Sequence, residues 1–108
     1  MAFREGLFKV EFSVASGRGA GVVVLLGGKV RGGDTSMYYV GSYALKEDNF
    51  NALIDVRRHT PGLQSVFGVD NVNLRLSGHI AGDAGVLQGD AVQAPGVMFR
   101  ATLTRIAD

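Results

Sequence analysis

The chain has 108 residues, 46% of them hydrophobic and 19% charged, with a formal net charge of +1. One packed domain fits that length and two do not; the balance excludes a disordered chain, and the near-neutral charge excludes the strong basic footprint of a nucleic-acid binder. With no cysteine there is no disulfide framework or thiolate chemistry, and metal ligation would fall to two histidines and some carboxylates.

Alternation of apolar and polar residues runs through the chain with period two, the signature of half-buried strands. In "GLFKVEFSV", Phe8, Val10, Phe12 and Val14 share one face and Lys9, Glu11 and Ser13 the other. "SGRG" then reads as a turn, with Gly17 and Gly19 supplying the loop. Val22 to Leu26 is a continuous apolar run, expected to be covered on both faces. Gly27 and Gly28 suit a two-residue primed hairpin turn. Gly32 and Gly33 mark a tight bend or bulge, and Asp34 after them is placed to accept bonds from nearby backbone amides.

"TSMYYVGSY" and "NALIDVRRH" read as two more strands, joined by a tip at "KEDN". After Pro61, "TPGLQSVFG" predicts one short helical turn. "VNLRLSGHI" puts Val72, Leu74, Leu76 and Ile80 on one face, opposite Asn73, Arg75, Ser77 and His79. "GVLQGDAVQA" is a weaker strand. In "GVMFRATLTRI", Val97, Phe99, Ala101 and Leu103 oppose Arg100, Thr102 and Thr104. Turn residues recur every eight to twelve positions or so, as in a sandwich or barrel. No segment shows helical period over ten residues or more, and no apolar run approaches the roughly twenty residues of a membrane-spanning helix. The start "MAFREGLFKVEF" lacks the apolar core of a signal peptide. A soluble cytoplasmic protein with no membrane association is the expectation.

The glycine-dense stretch Gly17 to Asp34 raises the question of a phosphate loop. Such a loop needs a strand before it and a helix after it, whose N-terminus holds the anion. Here "GRGAG" leads into "VVVLL", another strand, so the glycines read as structural. His59 and His79 have no second ligand two or four positions away, which argues against zinc. Ser16, Ser36 and Ser65 lack a nucleophile-elbow context. Arg57, Arg58 and His59 form a short basic group at a strand end. No catalytic constellation stands out, so the expectation is a non-enzymatic protein without cofactor or metal. Strand alternation places Tyr39 and Tyr43 on one face and Tyr38 on the other. The three cannot all be buried on one side of a sheet, which makes Tyr38, Tyr39 and Tyr43 candidates for a dimer interface.

"GLFKVEF", "GAGVVVLLGGKVRGGD" and "YYVGSY" together resemble the GrlR family, small regulators of bacterial type III secretion. The matching positions are Gly6, Gly19, Gly21, Gly32, Gly33, Asp34, Tyr39 and Gly41. The similarity is strongest over residues 6–43, and "SVFGVDNVNLRLSG" and "APGVMFRATLTRI" resemble later parts of short GrlR-like proteins. The resemblance implies a small calycin-like β-barrel, a homodimer, and a role as a negative regulator that binds a protein partner such as a transcription activator. In one well-known member of the family an exposed acidic loop of four carboxylates is tied to that contact. Here the loop reads Lys46, Glu47, Asp48, Asn49, so only Glu47 and Asp48 are carried over as partner-binding residues.

The expected structure is therefore all-β: one domain over residues 1–108, a small antiparallel up-and-down barrel of about eight strands, lipocalin- or calycin-like. Two functions compete. One is a regulatory protein that sequesters a partner. The other is a carrier that holds a small apolar ligand or lipid in the barrel. Phe8, Phe12, Phe99 and Leu103 are large enough to fill the interior, which favours the first.

Overall fold

The computed structural model describes residues 3–61 and 71–108. Eight strands follow one another: β1 (Gly6–Val14), β2 (Gly17–Leu26), β3 (Lys29–Gly33), β4 (Met37–Lys46), β5 (Asn49–Arg58), β6 (Asn71–Ala81), β7 (Ala84–Ala91) and β8 (Ala94–Ala107). Each pairs antiparallel with the next, and β1 pairs with β8, which closes the barrel. Closure leaves no sheet edge. The helical turn expected from "TPGLQSVFG" lies beyond Pro61, outside the described residues, as does Ser65.

Period-two alternation now has a single meaning: one set of side chains fills the barrel and the other faces out. Phe8, Val10 and Val14 from β1 are buried inside, as are Val72, Leu74, Leu76 and Ile80 from β6 and Phe99, Ala101 and Leu103 from β8. Val97 does not join them and is exposed. The β7–β8 register shifts between Gly89 and Ala91, and this bulge breaks the alternation before Phe99.

The run Val22 to Leu26 is not covered on both faces. Val23 and Leu25 are buried, whereas Val22, Val24 and Leu26 stand outside, with Leu26 59% exposed. A single closed sheet has only one buried face, so a continuous apolar run must leave half its side chains in solvent.

The glycines also sit elsewhere than in turns. The β1–β2 turn is made by Ala15 and Ser16. Gly17 and Gly19 belong to β2, paired with Val14 and Phe12, and neither has a positive φ. Gly19 faces inward, and a Cβ there would lie 2.8 Å from the Phe12 ring. Its missing side chain is the space that ring occupies. Gly32 and Gly33 lie in regular β3 pairing with no bulge and no positive φ. A Cβ on Gly32 would stand 2.0 Å from the Val22 carbonyl oxygen, so the close approach of β2, not a bend, demands glycine there. The primed-turn reading holds for Gly27 and Gly28, whose φ angles are 59° and 79°.

The hairpin connections alternate between two ends of the barrel. At one end are the β1–β2, β3–β4 and β7–β8 turns and the start of the β5–β6 connection. At the other are the β2–β3, β4–β5 and β6–β7 turns and the segment preceding β1. That segment caps its end. Phe3 stacks on Phe8 at 5.9 Å between ring centroids and meets Tyr43 edge-on at 6.0 Å. Arg4 pairs with Asp83 at 3.3 Å, and the Glu5 carboxylate accepts the backbone N–H of Gly27.

Candidate functional site

Asp34 organises the opposite end. It follows β3, and the chain must reverse within three residues to enter β4. Asp34 Oδ1 accepts the backbone N–H groups of Ser36 (3.0 Å) and Met37 (2.8 Å), as the sequence leads one to expect. Its Oδ2 accepts the hydroxyl of Tyr39, which enters from inside the barrel. Burial, first, and then the Asp34 carboxylate push the Tyr39 hydroxyl well above the usual tyrosine pKa. His59 continues the cluster. Its backbone N–H donates to the Ser36 carbonyl at 2.9 Å, and its Nε2 lies 3.0 Å from the Asp34 carbonyl oxygen. These bonds fasten the start of the β5–β6 connection to the β3–β4 turn.

Between the two ends lies an apolar cavity of about 80 Å³. Phe12, Leu25, Phe50, Leu74, Leu87 and Phe99 are among the side chains around it. Phe12 and Phe99 stack at 5.8 Å, and Tyr39 meets Phe12 edge-on at 6.5 Å. Pockets for small organic ligands run to roughly 300–1,000 Å³. The barrel is thus filled almost to closure by its own aromatic and branched side chains. Among the described residues no buried side-chain nitrogen or oxygen lacks a partner, so nothing polar inside waits for a ligand. Among the same residues no three His, Asp or Glu side chains gather as a metal site would require.

The three tyrosines separate. Tyr39 is 7% exposed and belongs to the core. Tyr43 also points inward, stacked on Phe50 at 5.2 Å. Only Tyr38 stands outside. An interface built from all three is therefore corrected: Tyr39 is inside the closed barrel and cannot reach a second molecule. The closed barrel also offers no open strand edge through which two copies could pair. Glu47 and Asp48 form the exposed β4–β5 turn, with Glu47 left-handed at φ 57°. They lie at the far end of β4 from Tyr38, about 30 Å away at the usual rise per strand residue. The structure does not bring these candidates together.

It assembles another surface that the sequence reading passed over. On the outer face, β3 presents Lys29 and Arg31, and Gly33 presents no side chain. Leu26, Val24 and Val22 stand opposite them on β2, and Ser42, Val40 and Tyr38 stand opposite on β4. Leu53, 61% exposed, follows beyond Ser42 on β5. Two apolar stripes thus flank two cations. The signal was present in the run Val22 to Leu26, once its strand is known to have only one buried face.

Comparison with protein-family models and with curated proteins finds no match to this chain.

Proposed function

We propose that the chain is a non-enzymatic regulatory protein of the bacterial cytoplasm that acts by binding a protein partner. The observation that carries this reading is the filled interior. A cavity of about 80 Å³ leaves recognition to the outer surface, where large apolar side chains are exposed. The resemblance to GrlR-like proteins names the kind of partner, a transcription activator, and the kind of outcome, repression of type III secretion genes. Pairing of two copies, which the resemblance also implies, would have to be made by outward side chains such as Tyr38.

The test is capture of the tagged chain from the cells that make it, followed by reconstitution with the purified partner. The expected result is one protein held in fixed stoichiometry after purification. The apolar lining of the cavity favours a second reading, a carrier of a very small apolar molecule. Native mass spectrometry of the purified chain separates the two. A retained small molecule with no protein partner would overturn the binding-protein reading.

A further inference from the structure

The outer face of β2, β3 and β4 combines exposed apolar surface with cations that the fold leaves unneutralised. Lys9 pairs with Glu11 at 3.4 Å, Arg57 with Asp55 at 3.9 Å and Arg75 with Asp90 at 3.4 Å. Lys29 and Arg31, like Arg18, Lys46 and Arg100, have no carboxylate partner among the described residues, and what sets these two apart is the apolar side chains on both neighbouring strands. Arg31 is nonetheless held in place, because its guanidinium donates to the carbonyls of Val30 (2.7 Å) and Gly41 (3.1 Å). The two cations stand on one strand two residues apart, between Val24 and Leu26 on one side and Val40 and Ser42 on the other. Beside them Gly33 stands without a side chain between Val22 and Tyr38.

Covering this face with purely apolar surface would strand two charges away from water, which is costly unless each is paired. A second copy laid over it with the two-fold axis on β3 would gather four cations, Lys29 and Arg31 from each copy, in one interface, and like charges in an interface repel. A lipid surface is read by denser clusters, about four to eight basic residues. Carboxylates interleaved with apolar side chains meet both requirements at once. Since every strand of the closed barrel has both neighbours, the occupant docks by its side chains and not by adding a strand.

We propose that this face is the docking site for an acidic amphipathic segment of a protein partner. Its carboxylates would sit over Lys29 and Arg31, and its apolar side chains would lie against Val22, Val24, Leu26 and Tyr38. The proposal rests on the binding-protein reading above and assigns its surface. It leaves the acidic turn Glu47–Asp48, carried over as partner-binding, as a secondary contact at most.

Fluorescence anisotropy tests it with two labelled amphipathic peptides, one pairing Leu with Glu on its binding face and one pairing Leu with Lys. The Glu peptide should bind about tenfold or more tighter than the Lys peptide, and weaken as salt rises from about 50 to about 300 mM. Lys29→Glu with Arg31→Glu should reverse the order. Lys29→Glu alone, at a side chain with no hydrogen bond of its own among the described residues, should narrow the difference without touching the Arg31 bonds. Circular dichroism checks that each variant is folded. Equal binding of the two peptides, or no binding of either, overturns the proposal. So does flotation of the protein with phosphatidylserine vesicles in place of peptide binding, or a dimer that Val24→Asp dissociates. If the captured partner is still held by the Lys29→Glu, Arg31→Glu variant, this face is wrong and the binding-protein reading stands. If the wild-type chain captures no protein, that reading fails as well.

Discussion

Replacing Asp34 by Ala is expected to be among the most damaging single changes outside the apolar core. The side chain accepts from two backbone amides, at 3.0 and 2.8 Å, and from the Tyr39 hydroxyl. A hydrogen bond to a charged group contributes about 1.5–3 kcal/mol net, and a buried donor left unpaired costs about 1–3 kcal/mol. The two amides regain part of their loss from water, because the turn is only half-buried. The Tyr39 hydroxyl is poorly placed to do so, since its residue is 7% exposed. Together these give a loss of about 3–5 kcal/mol for Asp34→Ala, a large share of the roughly 5–15 kcal/mol that holds a domain of this kind folded. Tyr39→Phe removes one bond and leaves the two amide bonds, so about 1–2 kcal/mol is expected. The double variant should cost less than the sum of the two, by about 1 kcal/mol or more, since both singles delete the same bond. Urea unfolding followed by far-UV circular dichroism measures all three. Strict additivity, or an Asp34→Ala loss below about 0.5 kcal/mol, the range of an ordinary surface change, would refute this account of the turn.

The raised Tyr39 pKa makes the same pair visible in pH: the unfolded chain ionises near 10 while folded Tyr39 stays neutral, so its contribution is fully present below pH 10 and declines above it. Tyr39→Phe should flatten that decline between about pH 9 and 11 in urea titrations, and an unchanged slope would count against the buried phenol. Gly19→Val should cost about 1–3 kcal/mol by forcing the Phe12 ring from the 2.8 Å approach, and Phe12→Leu in the same chain should recover part of it. Glu47→Gly should raise the urea midpoint, with a gain of up to about 1 kcal/mol from relief of the left-handed backbone. Replacing Glu47 and Asp48 together by Ala should leave stability within about 0.5 kcal/mol and peptide binding unchanged, whereas lost binding would restore the acidic turn as the contact.

Much of the barrel was legible because period-two alternation is a local signal. Phe8, Val10 and Val14, or Val72, Leu74 and Leu76, declare their buried face within a single strand. Gly27-Gly28 and Asp34 were legible for the same reason: primed turns and carboxylate-to-amide bonds involve residues a few positions apart. What failed depended on distant partners. Whether Val22 and Val24 are covered is decided by how many layers the sheet has, and no strand carries that information. Tyr38, Tyr39 and Tyr43 were separated correctly into two faces, but which face was inside required the register with β3 and β5. Val97 was lost to a bulge set by its pairing with β7.

The glycines show why the candidate site was harder to read than the fold. In sequence, Gly19, Gly32 and Gly33 looked like punctuation, because a glycine's commonest local use is a positive φ. In the barrel each is a missing side chain with a different neighbour. Gly19 makes room for Phe12, Gly32 for the β2 backbone, and Gly33 for the Met37 carbonyl oxygen of β4, 2.6 Å from where its Cβ would stand. A recognition surface on a barrel is assembled in the same way. Lys29 and Arg31 gain their setting from Val24 and Leu26 on one neighbour and Val40 on the other, residues that come together only through pairing. A charge pattern read along the chain would count Lys29 and Arg31 as two ordinary surface cations. Read across the strands, they are two charges without counter-ions among the described residues, set between two apolar stripes, and that arrangement selects the chemistry of what binds there.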